Sequence, residues 1–367
     1  MPLTLALSTL CENPRHRTGL TTLFFEFIRH ARLAYPEISW IVFAGALEKW
    51  PTDDAGVLVC RDFPSNEHSA LRLLADHFLV ARRARRLGAA ALLTVGFYPV
   101  ISAGLPIVTH VFAVHHRSQT GIRSWYRRFF VAQALKRSAL VIVNSAWARV
   151  QLGDVLAPVL VSPEGLQREM FQPSGPRGRS DLAPSYVLWA SNFYSYKRCE
   201  LALEAYASLP EAVRDRLPFF LVGGEWGGGR ARARALALEL GIERSVRFLG
   251  WVDDAELPVL YRGARVHLLS SEEETFGRSV LEAMACGCPN LIQDLPVFHE
   301  VAGDSAAYVD FTDRAKAAES LLRVCTDDTY VRELAEAGLI QAGQFGFARL
   351  AQERVAGILE ALKQRSA

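Results

Sequence analysis

Short apolar runs recur along the chain, separated by longer stretches in which apolar residues return at helical spacing. In the first half the runs fall at residues 1–7, 38–43, 91–95, 107–112 and 140–144. A second series opens at 186–190 and continues at 219–224, 246–252 and 266–270. Runs of this length, apolar on both faces and alternating with helical stretches, predict parallel strands in a sheet covered by helices on either side. Two series predict two such sheets. The stretch 172–180 between them is rich in Pro, Gly and Arg and reads as the hinge.

Composition agrees with that division. The chain has 367 residues, half of them apolar, which is material for two domains of roughly 150–200 residues. No apolar stretch reaches the ~20 residues needed to cross a bilayer. The opening residues read as a strand without a charged leader, and the six cysteines are scattered, so a reduced cytoplasmic setting is expected. The one close pair, Cys286 and Cys288, lacks flanking partners for a metal, and neither metal nor cofactor is expected.

The formal net charge is +2, unevenly placed. Residues 1–165 carry 18 Lys and Arg against 11 Asp and Glu, a net of +7, and the remainder of the chain is at −5. The basic excess concentrates at Arg82, Arg83, Arg85 and Arg86 and in the run 123–130, where Arg123, Arg127 and Arg128 mix with Trp125, Tyr126, Phe129 and Phe130. Arginines interleaved with aromatics suit contact with anionic lipid headgroups. The other reading is a solvated helix face with its aromatics in the core. No nucleic-acid partner is expected.

The most informative segment is 271–289. The run at 266–270 reads as a strand, Gly277 as a tight turn, and Val280, Leu281, Met284 and Ala285 as the buried face of a helix. Glu274 precedes that helix, and Glu282 lies about 7.5 Å along its axis from Gly277 at 1.5 Å per residue. That distance is on the scale of a diphosphate. A helix N-terminus offers free amide donors and a positive dipole end to an anion, and acids on either side suit sugar hydroxyls. The competing readings are a helix-capping acid for Glu274 and an exposed helical acid for Glu282.

The frame Ser271-x-x-Glu274-x-Phe276-Gly277 through Glu282-Ala283-Met284-Ala285-x-Gly287-x-Pro289 resembles the signature of glycosyltransferase family 4. The segments 219–224, 246–252 and 257–264 resemble the strands and helix that precede it. The likeness covers most of residues 160–365 well and the first half loosely. It implies the GT-B fold: two doubly wound Rossmann-like domains facing across a cleft. Residues 1–170 would be the acceptor-side domain and 171–346 the nucleotide-sugar domain, with a final helix from about 347 to 367 packing back on the first.

The resemblance also implies roles. Glu282 would hold ribose hydroxyls and Glu274 those of the transferred sugar. The amides of Phe276, Gly277 and Arg278 and the hydroxyl of Ser279 would meet sugar and phosphate. Lys197 would grip the diphosphate; the arginine that usually accompanies it falls at Ser191 or Asn192, leaving Arg198 or a first-domain arginine to compensate. The turn at Gly250 would face the nucleobase. In the first domain Gly19 would lie near the phosphates, and a histidine would face the donor sugar, with His110 the first choice and His115 and His116 next. The activity implied is retaining transfer of a hexose from a GDP- or UDP-sugar, GDP-mannose among them, to a hydroxyl of a lipid-linked or polysaccharide glycan, without a protein nucleophile. Alternatives on the same architecture are a nucleotide-sugar epimerase and a degenerate nucleotide-sugar binding module. A dinucleotide-dependent dehydrogenase is disfavoured, because no Gly-x-Gly-x-x-Gly turn follows the first strand.

Overall fold

A computed structural model describes residues 3–11, 19–45, 56–64, 68–112 and 122–366. It contains two parallel sheets. The first holds β1 (Thr4–Ser8), β2 (Ser39–Gly45), β3 (Val57–Phe63), β4 (Ala91–Val95), β5 (Ile107–Val111), β6 (Leu140–Val143) and β7 (Val159–Val161), in the order β3-β2-β1-β4-β5-β6-β7. The second holds β8 (Tyr186–Ala190), β9 (Phe219–Val222), β10 (Val246–Gly250), β11 (Ala264–Leu269), β12 (Asn290–Gln293) and β13 (Ala307–Val309), in the order β10-β9-β8-β11-β12-β13. Each sheet starts in its middle, winds outward to one edge, then returns to wind the other way. Both follow the 3-2-1-4-5-6 order of a Rossmann sheet, the first with one further strand.

Successive residues of β1 point to opposite faces, and each face has its own core. Leu5 and Leu7 join Phe24, Phe27 and Ile28 of the helix Gly19–Ala34 and Leu350, Val355 and Ile358 of the C-terminal helix Phe347–Ser366. Ala6 joins Ile41, Leu92 and the buried face of the helix Val80–Arg86 on the other side. In the second sheet Val187 and Trp189 pack with Leu203 and Tyr206 of the helix Cys199–Ala207 and with Leu321 and Val324 of the helix Arg314–Thr326. Burial on both faces explains why these strands read as unbroken apolar runs.

The chain divides into two compact units, Met1–Gly165 with Phe347–Ala367, and Leu166–Gly346. The stretch 172–180, expected to be the hinge, is instead fastened within the second unit. Arg262 donates to the carbonyls of Pro176 (2.7 Å) and Gln172 (3.1 Å), and the Gly178 amide donates to the Val259 carbonyl (2.9 Å). Gly178 takes a left-handed φ of +66°, and its backbone lies so close to Gly263 that a Cβ on Gly263 would stand 2.6 Å from the Gly178 Cα.

Candidate functional site

The sequence-selected residues of the second unit lie beyond the carboxyl ends of β8 and β11, with Gly250 at the carboxyl end of β10. Lys197 lies in a short 3₁₀ turn, Ser195–Lys197, and its Nζ forms an ion pair with the carboxylate of Glu274. Ser271 Oγ donates to the same carboxylate oxygen (3.1 Å). Both partners of the pair are largely buried. Glu274 is thus engaged by Lys197 and Ser271, and the N-cap of the helix that follows is a glycine, Gly277, which offers no side-chain cap. Arg198 adopts a left-handed backbone conformation (φ 47°) and donates to Glu200 and Glu272, both at 2.6 Å. Its guanidinium is thus engaged by two carboxylates other than those of the motif. The Glu272 amide donates to the Tyr196 carbonyl (2.9 Å) and Ser270 Oγ to the Arg198 carbonyl (2.8 Å), tying the two loops together.

Gly277 makes the turn into the helix Arg278–Ala285. Its φ of +94° is left-handed, and a Cβ there would stand 2.6 Å from the Phe298 ring, so only glycine fits. Phe276 is buried and packs edge-on against Phe345. Arg278 and Ser279 are the first two residues of the helix, and Glu282 follows one turn later with only 7% of its surface exposed. Its carboxylate accepts from Arg278 Nε (2.8 Å) and from the Tyr261 hydroxyl (3.4 Å). Burial raises the Glu282 pKa and the Arg278 guanidinium opposes the rise. Each acid of the motif thus has its own cation, Lys197 for Glu274 and Arg278 for Glu282.

A further pair holds this helix to the sheet. His267 on β11 lies opposite Asn290 on β12 in the strand register, and its Nδ1 is 2.7 Å from Asn290 Oδ1. Asn290 Nδ2 reaches the carbonyls of Val280 and Cys288, both at 3.4 Å. The Tyr261 ring stands edge-on to the His267 imidazole. The sequence reading missed His267, Asn290 and Tyr261, whose roles depend on neighbours distant in the chain. The Arg278–Glu282 pair it missed was legible, because the two residues are four apart on one helix face.

Asn192 is engaged by the next loop, its Oδ1 accepting from the Gly224 amide (2.9 Å). Gly250, at φ +77°, closes β10 and accepts from the Gly223 amide (2.8 Å). Arg230 lies alongside, its guanidinium 3.2 Å from where a Cβ on Gly250 would stand.

In the first unit Gly19 begins the helix Gly19–Ala34. His110, expected to face a sugar, is enclosed instead. It points into the face of β5 covered by that helix and the C-terminal helix, stacks on Phe112 and lies 3.4 Å from Arg354 Nη1. The cavity it lines, about 10 Å³ among Phe24, Phe27, Leu93 and Ile142, has room for a water and not for a hexose. Burial, with the Arg354 charge, drives its pKa well below the usual imidazole value. His115 and His116 lie outside the described residues.

Residues 176–340 match the family model described as glycosyl transferases group 1. The chain is 35% identical over 164 residues to an O-antigen chain mannosyltransferase B of Escherichia coli, a match covering 44% of this chain and 42% of that protein. It is 32% identical over 253 residues to a D-inositol 3-phosphate glycosyltransferase of Geodermatophilus obscurus, covering 64% and 55%. The chain thus spans about half the length of these curated relatives, or less. Among solved structures, sucrose-phosphate synthase from Thermosynechococcus elongatus superposes with a TM-score of 0.77 at 19% identity over the whole of both chains. WaaG, a glycosyltransferase involved in lipopolysaccharide biosynthesis, superposes with a TM-score of 0.74 at 17% identity over 95% and 98%. Together with the two Rossmann sheets, these likenesses establish the GT-B fold.

Proposed function

We propose that the protein is a retaining glycosyltransferase moving a hexose from a nucleoside-diphosphate sugar to a hydroxyl of a glycan acceptor. The observation that carries this reading is the helix start at Gly277–Ser279, whose N-cap is a glycine, with Glu274 and Glu282 on either side, each matched to a cation. On donor binding, the diphosphate takes Lys197, Arg278 and the first helix amides, which releases both carboxylates to accept from sugar hydroxyls. Glu282 takes the ribose and Glu274 the transferred sugar. Arg278, rather than Arg198, then supplies the second cation that the Lys197 segment lacks. Cations and a helix N-terminus around the diphosphate stabilise charge on the departing nucleotide. No protein nucleophile is assigned. The acceptor hydroxyl attacks on the face the diphosphate leaves, and a phosphate oxygen takes its proton. The mannosyltransferases among the relatives support mannose, and with it GDP-mannose, as the first donor to try.

A panel of nucleotide sugars screened for thermal stabilisation identifies the donor, and product analysis with that donor tests the reaction. Glu274→Ala is expected to lower turnover by at least a hundredfold and donor affinity by much less, because its contacts lie beside the reacting carbon. Turnover within about twofold of the parent overturns that role. Epimer formation without acceptor would instead favour the epimerase reading.

The acceptor is proposed to be lipid-linked and met at an anionic membrane surface. On the helix Ile122–Arg137, Trp125 and Phe129 stack on each other while remaining 60% and 44% exposed. Leu71, Leu74 and Phe78 are exposed on the neighbouring helical segment, which meets the first through His77 against Tyr126 and Phe130. Exposed Arg82, Arg83, Arg85 and Arg86 continue that segment. Apolar residues beside arginines are the composition of a surface that enters the headgroup region. Cosedimentation with vesicles containing phosphatidylglycerol should exceed that with phosphatidylcholine vesicles and fall several-fold in a Trp125→Ala, Phe129→Ala double variant. Equal binding to both vesicle types removes the proposal.

A further inference from the structure

The loops that follow β8 and β9 carry a row of aromatic rings beside the proposed donor site. Trp226 lies 4.8 Å from Tyr194, Tyr194 lies 5.4 Å from Tyr196 with the rings nearly parallel, and Lys197 Nζ stands 5.4 Å from the Tyr196 centroid. The outermost ring, Trp226, is 59% exposed. It does not fill a core, yet its loop is firmly braced. The Gly229 amide donates to the Trp226 carbonyl (3.0 Å), and Arg232 Nη1 to the Gly227 carbonyl (2.7 Å). Gly223 and Gly229 let the loop lie against residues 191–193 so closely that a Cβ on either would collide with the Ser191 or Phe193 carbonyl. An exposed indole on a braced, glycine-lined loop is a preorganised contact surface.

Tyr194 also lines a pocket of about 310 Å³, whose polar groups include Ser195, Glu200 and Arg232. That volume is at the lower end of ligand sites. Its chemistry suits a sugar ring. The negative face of an aromatic ring attracts the polarised C–H groups on the flat side of a pyranose, while a carboxylate accepts from hydroxyls and a guanidinium donates to them. A nucleobase would need its edge read by groups in its own plane, whereas the polar groups here lie around a sugar-sized volume next to the stack.

We propose that Trp226, Tyr194 and the adjoining pocket form a saccharide-docking platform, which holds acceptor rings remote from the reacting hydroxyl. The assignment to the acceptor rests on the transferase reading; the platform itself does not. Energy gained there positions the acceptor without altering the chemistry at Glu274.

The test is calorimetric titration of the full chain with an oligomannoside in the absence of donor, in parallel with the nucleotide sugar. Trp226→Ala should weaken oligomannoside binding about tenfold, the loss of one stacked ring. Trp226→Phe should keep binding within a few-fold, and neither variant should change nucleotide-sugar affinity. The side chain is exposed, so its removal leaves the fold in place. Oligomannoside binding that is absent from the parent, or unchanged in Trp226→Ala, overturns the proposal. So does a loss of nucleoside affinity in Trp226→Ala, which would make the row a base-stacking site. If the parent binds oligomannoside through Trp226 but no nucleotide sugar, the transferase reading fails and the platform stands.

Discussion

Taking the Glu282 carboxylate out of water disfavours its charge, and Arg278 with Tyr261 offsets that cost only in part, since burial still raises the pKa. An acid buried at this cost beside a helix start is the mark of a group retained for binding. Glu282→Gln keeps the shape, can still meet Tyr261, and leaves Arg278 partly exposed to water. Its stability is therefore expected to match the parent within about 1 kcal/mol or exceed it. Donor affinity should fall tenfold or more, through loss of charge-assisted bonds to the ribose. Thermal melts with and without donor separate the two effects; a large drop in Tm without donor would make Glu282 structural. At this scale the sequence showed where the acids stand and not what holds them. Lys197 and Glu274 are 77 residues apart and meet only through the fold. For His110, the signal of burial lay in its place inside an apolar run, residues 107–112, whose alternate side chains are covered on both faces of the sheet.

Among the elements, β4 and β8 occupy the residues read from the apolar runs, β1 starts three residues inside the run read at 1–7, and the others read in that way shift by one or two positions at their ends. The strands that escaped are short or half exposed. β7 and β13 have three residues each and β12 four, too few for a period to register, while β3 interleaves exposed Leu58 and Asp62 with buried Cys60 and Phe63. The helical segment from Ser69 to Arg86 was read only at its basic end. A π-helical turn at Ala75–Leu79 interrupts the 3.6-residue period there. That turn places Asp76 and His77 inside the unit, where Asp76 accepts from Ser8 Oγ (2.7 Å) and Arg72 (3.1 Å). The turn at Gly277 was legible for a different reason. A glycine between a strand and an apolar helix has few uses, and its positive φ beside the Phe298 ring makes it obligatory. Glycines at 175 and 178 also take positive φ, +119° and +66°, in a stretch that Arg262 fastens to the second unit.

Across the whole molecule, enclosed imidazoles link stability to acidity. Burial lowers the pKa of His267 to about 4, that of His77 to about 4, and that of His110 well below its usual value. A histidine with a depressed folded pKa contributes stability that is complete above its unfolded pKa of ~6.5 and is lost as pH falls toward the folded value. For His267 and His77 that loss is about 3 kcal/mol each by pH 4. Asp76 acts in the opposite sense. Burial raises its pKa to about 6, so the folded chain takes up a proton before the unfolded one as pH drops, recovering about 3 kcal/mol, and Glu282 adds in the same direction. Among the described residues three such imidazoles stand against two such carboxyls, so stability should decline by a few kcal/mol between pH 6.5 and 4.5. His267→Asn keeps a donor within reach of Asn290 Oδ1 and removes the titrating ring, so its Tm should fall less steeply over that interval. The comparison needs only melts at several pH values, and a slope identical to the parent's would show that His267 takes up no proton on unfolding.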